Sequence, residues 1–237
     1  MPEGRFIVLE GLDGSGITTQ AELLRTWCEK QGIAVHVTKE PSDGPAGLLI
    51  KLALRRRLDA SSPESLALLF AADRQDHVAT EILPALSSGT TVICDRYYLS
   101  SFAYQLLEVP DLEWLMNINS KCPHPDLTVY LDVPPETCLE RMNSDVWRGS
   151  DQLQLYEELG SLKEIRSNFV LAIDTVKRAQ QRVEIVDGSR EITTIHKDVQ
   201  ALVTEIVQAA RQSTPANPQS SGSQQIAAIL EGEPLSG

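Results

Sequence analysis

Phe6-Ile7-Val8-Leu9-Glu10-Gly11-Leu12-Asp13-Gly14-Ser15-Gly16-Ile17-Thr18-Thr19-Gln20 decides how the rest of the chain is read. A short apolar, β-branched run enters a glycine-rich turn. Helical spacing of apolar residues follows, through Leu23, Leu24 and Trp27. Strand, glycine turn and helix in that order are the layout of a phosphate-binding loop, with the pattern G-x-x-x-x-G-K-[ST]. Gly11, Gly16 and Thr18 satisfy the pattern, but isoleucine stands at position 17, where it has lysine.

The lysine is only one part of such a loop. Glycines admit positive φ and let successive N–H groups converge on one anion. The helix N-terminus adds unpaired donors and the positive end of its dipole. Gly11, Leu12, Asp13, Gly14, Ser15, Gly16, Ile17, Thr18 and Thr19 are therefore the candidate phosphate cradle, with the Thr18 hydroxyl a candidate ligand for Mg²⁺. A plain glycine turn between a buried strand and a helix is the competing reading. Three glycines in six residues, followed by Thr18-Thr19, favour the cradle.

The chain has 237 residues, 42% of them hydrophobic, and a net charge of −12. That length suits one α/β domain with a sizeable core. An acidic chain does not present the broad basic surface that nucleic-acid polymers need, although local cations can still hold a nucleotide. Cys28, Cys94, Cys122 and Cys138 form no C-x-x-C pair and read as reduced thiols. No apolar run approaches ~20 residues, so the expectation is a soluble cytoplasmic protein with no membrane partner.

Further strands are expected at residues 33–38, 90–94, 127–133 and 182–186, with helices between them. The segment 46–57 reads as helical and ends in Arg55-Arg56-Arg57, one of which could reach a phosphate. Ser62-Pro63-Glu64 is a helix start. On that helix Phe70 and Arg74 are four residues apart, so a ring and a guanidinium share one face. Asp95-Arg96 closes a strand, where ligands bind in open parallel sheets. Asp95 can hold Mg²⁺ through water and Arg96 can clamp a phosphate. A long helix is expected to contain Tyr156-Glu157. From 212 onward Ser, Gln, Pro, Asn and Gly dominate, which predicts a domain over 1–211 and a disordered tail over 212–237. Alternating strands and helices predict an α/β fold, a five-stranded parallel sheet with helices on both faces.

FIVLEGLDGSG, KEPSDGP, LLFAADRQDH, VICDRYYLSSFAYQ, PDLTVYLDVPPE, RGSDQLQLYE and VDGSREITTIHKD occur in that order over roughly 4–211. Together they resemble the thymidylate kinase family of P-loop nucleoside monophosphate kinases. The resemblance implies the three-layer P-loop NTPase fold with strand order 2-3-1-4-5, and a homodimer. It implies transfer of a phosphoryl group from ATP to dTMP with Mg²⁺. It also implies residue roles: Phe70 stacking on thymine, Arg74 on its carbonyl edge, and Ser101 and Gln105 bonding the base. Asp13 would meet the sugar hydroxyl or orient the acceptor, Tyr97 would crowd the 2′ position, and Arg96 would bind the acceptor phosphate. Asp95 would stand near Mg²⁺, Tyr156 near the nucleotide, and Arg148 in the lid.

The chain departs from the family pattern at three places. Ile17 replaces the loop lysine, Lys39 stands where many members have arginine, and no cation lies between Arg148 and Lys163. Arg148 is the candidate replacement for the missing charge, with Arg141 in reserve. The alternative these departures raise is a weak or inactive kinase homologue that binds nucleotide or a partner protein.

Overall fold

The computed structural model describes residues 4–55, 57–58, 62–144, 156 and 158–213, side chains of 209–213 excepted. Five strands form one parallel sheet in the order β2-β3-β1-β4-β5. They are β1 (Phe6–Gly11), β2 (Val35–Lys39), β3 (Thr91–Asp95), β4 (Leu127–Asp132) and β5 (Val183–Asp187). This is the P-loop NTPase-type fold and strand order that the sequence led to.

β1 is buried along its whole length, as expected for the centre of a sheet covered on both faces. Side chains alternate across the sheet. Phe6 and Val8 of β1, with Val92 and Cys94 of β3, join one core cluster. It contains residues of α5 (Tyr98–Gln105) and α8 (Leu159–Arg178). Ile7, Leu9 and Ile93 join a second, against α1 (Ile17–Lys30) and α9 (Ile192–Ser213). On α9, Ile195, Val199, Val203 and Val207 recur every four residues and form its buried stripe.

α2 (Pro45–Leu54) and α3 (Pro63–His77) pack on each other beside the sheet. The Ser62 hydroxyl caps α3 by accepting from the Ser65 N–H. α3 runs into a π-helical turn, Val78–Ile82, and then α4 (Leu83–Ser87). α6 (Leu112–Ile118) is capped by the Asp111 carboxylate, and α7 (Pro135–Ser144) follows β4.

Some expected boundaries move. The basic segment is not helical to 57: α2 ends at Leu54, and exposed Arg55 and Arg57 line neither cavity described below. Tyr156 precedes α8 instead of lying within a long helix. α9 reaches Ser213, slightly past the expected 211. Arg56, Arg148, Glu157 and 214–237 lie outside the described residues. Among the described residues, no helix is long and apolar enough to cross a membrane.

Candidate functional site: two cavities at the carboxyl edge of the sheet

β1, β3 and β2 end side by side at the carboxyl edge of the sheet. β1 releases the glycine loop, β3 ends in Asp95 and β2 in Lys39. Gly14 and Gly16 have φ of 79° and 96°, a region other residues enter only with strain. A Cβ on Gly14 would also lie 2.5 Å from the Cys138 carbonyl. Gly16 begins α1 with no side-chain cap, so the first N–H groups of the helix stay available to an anion. The Ser15 hydroxyl is buried with no partner. Leu12 through Gln20 line a cavity of about 790 Å³, within the range of ligand sites. Ile17 forms part of its wall and is only 4% exposed, packed into the cluster between α1 and α9.

At the edge of this cavity the Thr18 hydroxyl donates to Asp95 Oδ2 at 2.5 Å. Burial raises the Asp95 carboxyl above its usual range, with Arg96 and the Thr18 hydroxyl pulling it down. One hydroxyl and one carboxylate are hard oxygen donors. That set fits Mg²⁺, which takes one or two protein oxygens and completes its shell with water and phosphate. Among the described residues no cluster of three His, Cys, Asp or Glu could hold a metal without such help.

A second cavity is lined by Phe70, Arg74, Arg96, Tyr97, Ser101, Tyr104, Gln105 and Tyr156, with Asp13 and Glu40 at one side. The structure thus brings together every acceptor-side residue singled out from the sequence. Arg74 is 1% exposed and is held from three sides. Its Nε donates to Glu40 at 2.8 Å, one Nη to Ser101 at 2.9 Å and the other to Asn119. Of the five N–H donors of a guanidinium, this network leaves few for a ligand. The Tyr97 ring lies under Arg74, 5.3 Å from Cζ to centroid. Gln105 is buried and its Oε1 has no partner, which leaves an acceptor for a ligand N–H.

Tyr97 and Tyr104 both line this cavity but turn their hydroxyls to different partners. The Tyr97 hydroxyl donates to the Pro123 carbonyl at 3.3 Å. Tyr104, which the sequence did not single out, donates to Asp13 Oδ2 at 3.0 Å and accepts from Arg96. Arg96 also donates to Asp13 Oδ1 at 2.7 Å and to the Gly11 carbonyl at 3.1 Å. Its φ of 72° is a left-handed conformation, uncommon for a non-glycine residue and concentrated at functional sites. Glu40, Asn119 and Tyr156 complete the surroundings. Tyr156 donates to Glu108 at 3.0 Å and meets Tyr104 edge-on at 5.7 Å.

Glu10 holds this corner from beneath. It accepts from the Tyr97 N–H, the Ser100 N–H and the Ser100 hydroxyl. Burial pushes its pKa from 4.5 up to about 7 against those bonds. The folded state therefore holds this proton more tightly than the unfolded chain. The stabilisation is present below pH 4.5 and is lost as pH rises through about 7. A shift of that size corresponds to on the order of 3 kcal/mol. The melting temperature of Glu10→Gln is expected to vary less than wild type between those limits. Parallel curves would assign the pH dependence elsewhere.

Asp13, Glu40 and Arg96 line both cavities. Two ligand sites that meet at a shared wall of charged side chains can set two phosphate-bearing molecules end to end. The fold and this site define a nucleotide-binding protein of the P-loop class. The thymidylate kinase family model matches residues 9–199, so the chain belongs to that family. A probable thymidylate kinase of Pyrococcus abyssi is 45% identical over 205 residues, spanning 84% of this chain and 96% of its own length. One from Pyrococcus horikoshii is 44% identical over the same shares. One from Archaeoglobus fulgidus is 35% identical over 88% of this chain and 99% of its own.

Proposed function

We propose that the protein is a dTMP kinase: ATP and dTMP give ADP and dTDP, with Mg²⁺. The observation that carries this reading is the common wall of Asp13 and Arg96 between the two cavities. Phosphoryl transfer needs positioning and charge stabilisation more than covalent chemistry. The glycine loop, from Gly11 to Thr19, takes the donor phosphates. Thr18 and Asp95 would hold Mg²⁺, which would supply charge neutralisation at the phosphate oxygens. Arg96 turns from Asp13 towards the acceptor phosphate. Asp13 orients the acceptor, and Tyr104 stands over the sugar. In the base pocket Phe70 stacks, Arg74 and Ser101 meet the carbonyl edge, and the unpartnered Gln105 Oε1 accepts from the ring N–H. Tyr97 acts through Arg74, which it supports from below, and Tyr156 closes the pocket with Tyr104. Arg148 of the lid is proposed to approach the donor.

The direct test is ADP release from ATP with dTMP, dUMP and other monophosphates. Phe70→Ala is expected to weaken dTMP binding by ~1–3 kcal/mol, the scale of base–aromatic stacking. Unchanged affinity in titration calorimetry would remove Phe70 from the base site. The lack of a cation at Ile17 in the cavity wall motivates the second reading, a nucleotide-binding homologue with little turnover. Nucleotide binding without ADP release from any monophosphate would select it.

We also propose a cytoplasmic homodimer with a kinase domain over 1–211 and a tail from 212 that does not support the fold. Leu48, Leu49 and Leu52 on α2 and Leu68 on α3 are exposed and suit an interface between copies. Sedimentation of wild type and Leu49→Glu tests the dimer.

A further inference from the structure

Ile17 contributes no charge to the phosphate cavity, and the cations around that cavity are not equivalent. Arg96 is tied to Asp13 at 2.7 Å and to the Gly11 carbonyl. Arg141, on α7, donates to the backbone carbonyls of Ser15 and Gly188 at 3.3 and 3.1 Å, so it braces the loop. Arg190 is tied to Asp198 at 2.6 Å and to the Asp187 carbonyl. Lys39 lines the same cavity, is exposed, and makes no side-chain hydrogen bond or ion pair with any described residue.

The backbone fixes where Lys39 stands. It is the last residue of β2 and lies in register with Asp95 of β3. The next N–H, of Glu40, donates to the Asp95 carbonyl at 3.0 Å. Asp95 in turn accepts from Thr18, the first threonine of the loop helix. Lys39, Asp95 and Thr18 therefore form a row along the carboxyl edge of the sheet. Neighbouring strands are about 4.8 Å apart, so the stem of Lys39 starts two strands, or about 10 Å, from β1. A lysine is a point charge on a flexible four-carbon stem and suits a contact that needs reach more than a planar fork.

We propose that Lys39 supplies the cationic contact to the terminal phosphates of the donor that position 17 cannot give. Charge at that point arrives from the neighbouring strand instead of the loop. This rests on the kinase reading for its effect on rate, but its effect on polyphosphate binding does not depend on turnover.

The test compares wild type, Lys39→Met, Lys39→Arg, Ile17→Lys and the double variant Ile17→Lys/Lys39→Met. Titration calorimetry with ADP and with inorganic tripolyphosphate is run beside ADP-release kinetics and dTMP binding. Lys39→Met is expected to lower kcat by about 10²–10³-fold, the scale of one preorganised charged donor. It should weaken tripolyphosphate binding at least tenfold and leave dTMP affinity unchanged. Lys39→Arg should keep most of both. Ile17→Lys alone should change kcat little or lower it, because two cations then compete for one phosphate. In the double variant it should restore most of what Lys39→Met lost. Tripolyphosphate affinity unchanged by Lys39→Met overturns the proposal, and so does a rise of about 10²-fold from Ile17→Lys in the wild-type background. Should wild type turn over no monophosphate, the kinase reading fails, and the tripolyphosphate titrations still decide for or against Lys39.

Discussion

Arg96→Met is expected to reduce kcat/KM for dTMP by at least ~10³-fold, on the scale of an arginine that stabilises the charge of a transferring phosphoryl group. Arg96 stands on the wall between the two cavities and is held in the left-handed region by the chain around it. Its fork is parked on the Gly11 carbonyl and on Asp13, Ser100 and Tyr104, the last three lining the acceptor cavity. A ligand phosphate at that end can take over the Asp13 contact, exchanging one anion for another. Methionine keeps the volume and removes the charge. It leaves Asp13 without its ion-pair partner, so the site also becomes more repulsive to phosphate. Arg96→Lys should recover part of the loss, since it returns the charge but not the bidentate fork. ADP binding should change little in either variant, because the loop N–H groups and the start of α1 remain. A loss below tenfold would show that Arg96 serves the fold of the β3–α5 turn and not the transfer.

What the sequence revealed and what it hid divide along a physical line. β1 and α1 were legible because a buried strand, three glycines and a helical repeat lie within one short stretch. Phe70 with Arg74 was legible because four residues along a helix is one face. The strand order came from resemblance, since pairing between β1 and β4 leaves no local mark. Tyr97 was given its place beside the sugar by the resemblance, and Tyr104 was not singled out. The fold adds it: α5 begins at Tyr98 and carries Ser101, Tyr104 and Gln105 on one face. Asn119, which holds Arg74 from the C-terminal cap of α6, was invisible because 45 residues separate the two. Lys39 was noted only as a departure from a pattern. Its place beside Asp95 needed the β2–β3 register.

Arg74→Met is expected to produce the largest loss of stability of any single change in the site. The guanidinium is 1% exposed and its partner Glu40 is 6% exposed, joined at 2.7 Å. Removing one member of a buried pair costs about 3–5 kcal/mol, because the remaining charge has lost its compensation. For a domain of this size that is a fall in melting temperature of roughly 10 °C. Part of the cost is offset by His77, whose Nδ1 lies 3.3 Å from Glu40. Burial opposes charge on His77, but Glu40 and Glu81 hold its pKa above the usual value. Protonated His77 is then the cation left beside Glu40, so the deficit should shrink as pH falls from 8 towards 5. Binding of dTMP should be lost at every pH, since the base pocket loses the donor opposite Gln105. The double variant Glu40→Gln/Arg74→Met separates the two effects. It should regain much of the melting temperature, as no uncompensated carboxylate remains, and regain none of the dTMP affinity. Recovery of both would show that Arg74 acts only by neutralising Glu40, and that the base is held by Gln105, Ser101 and Phe70 alone.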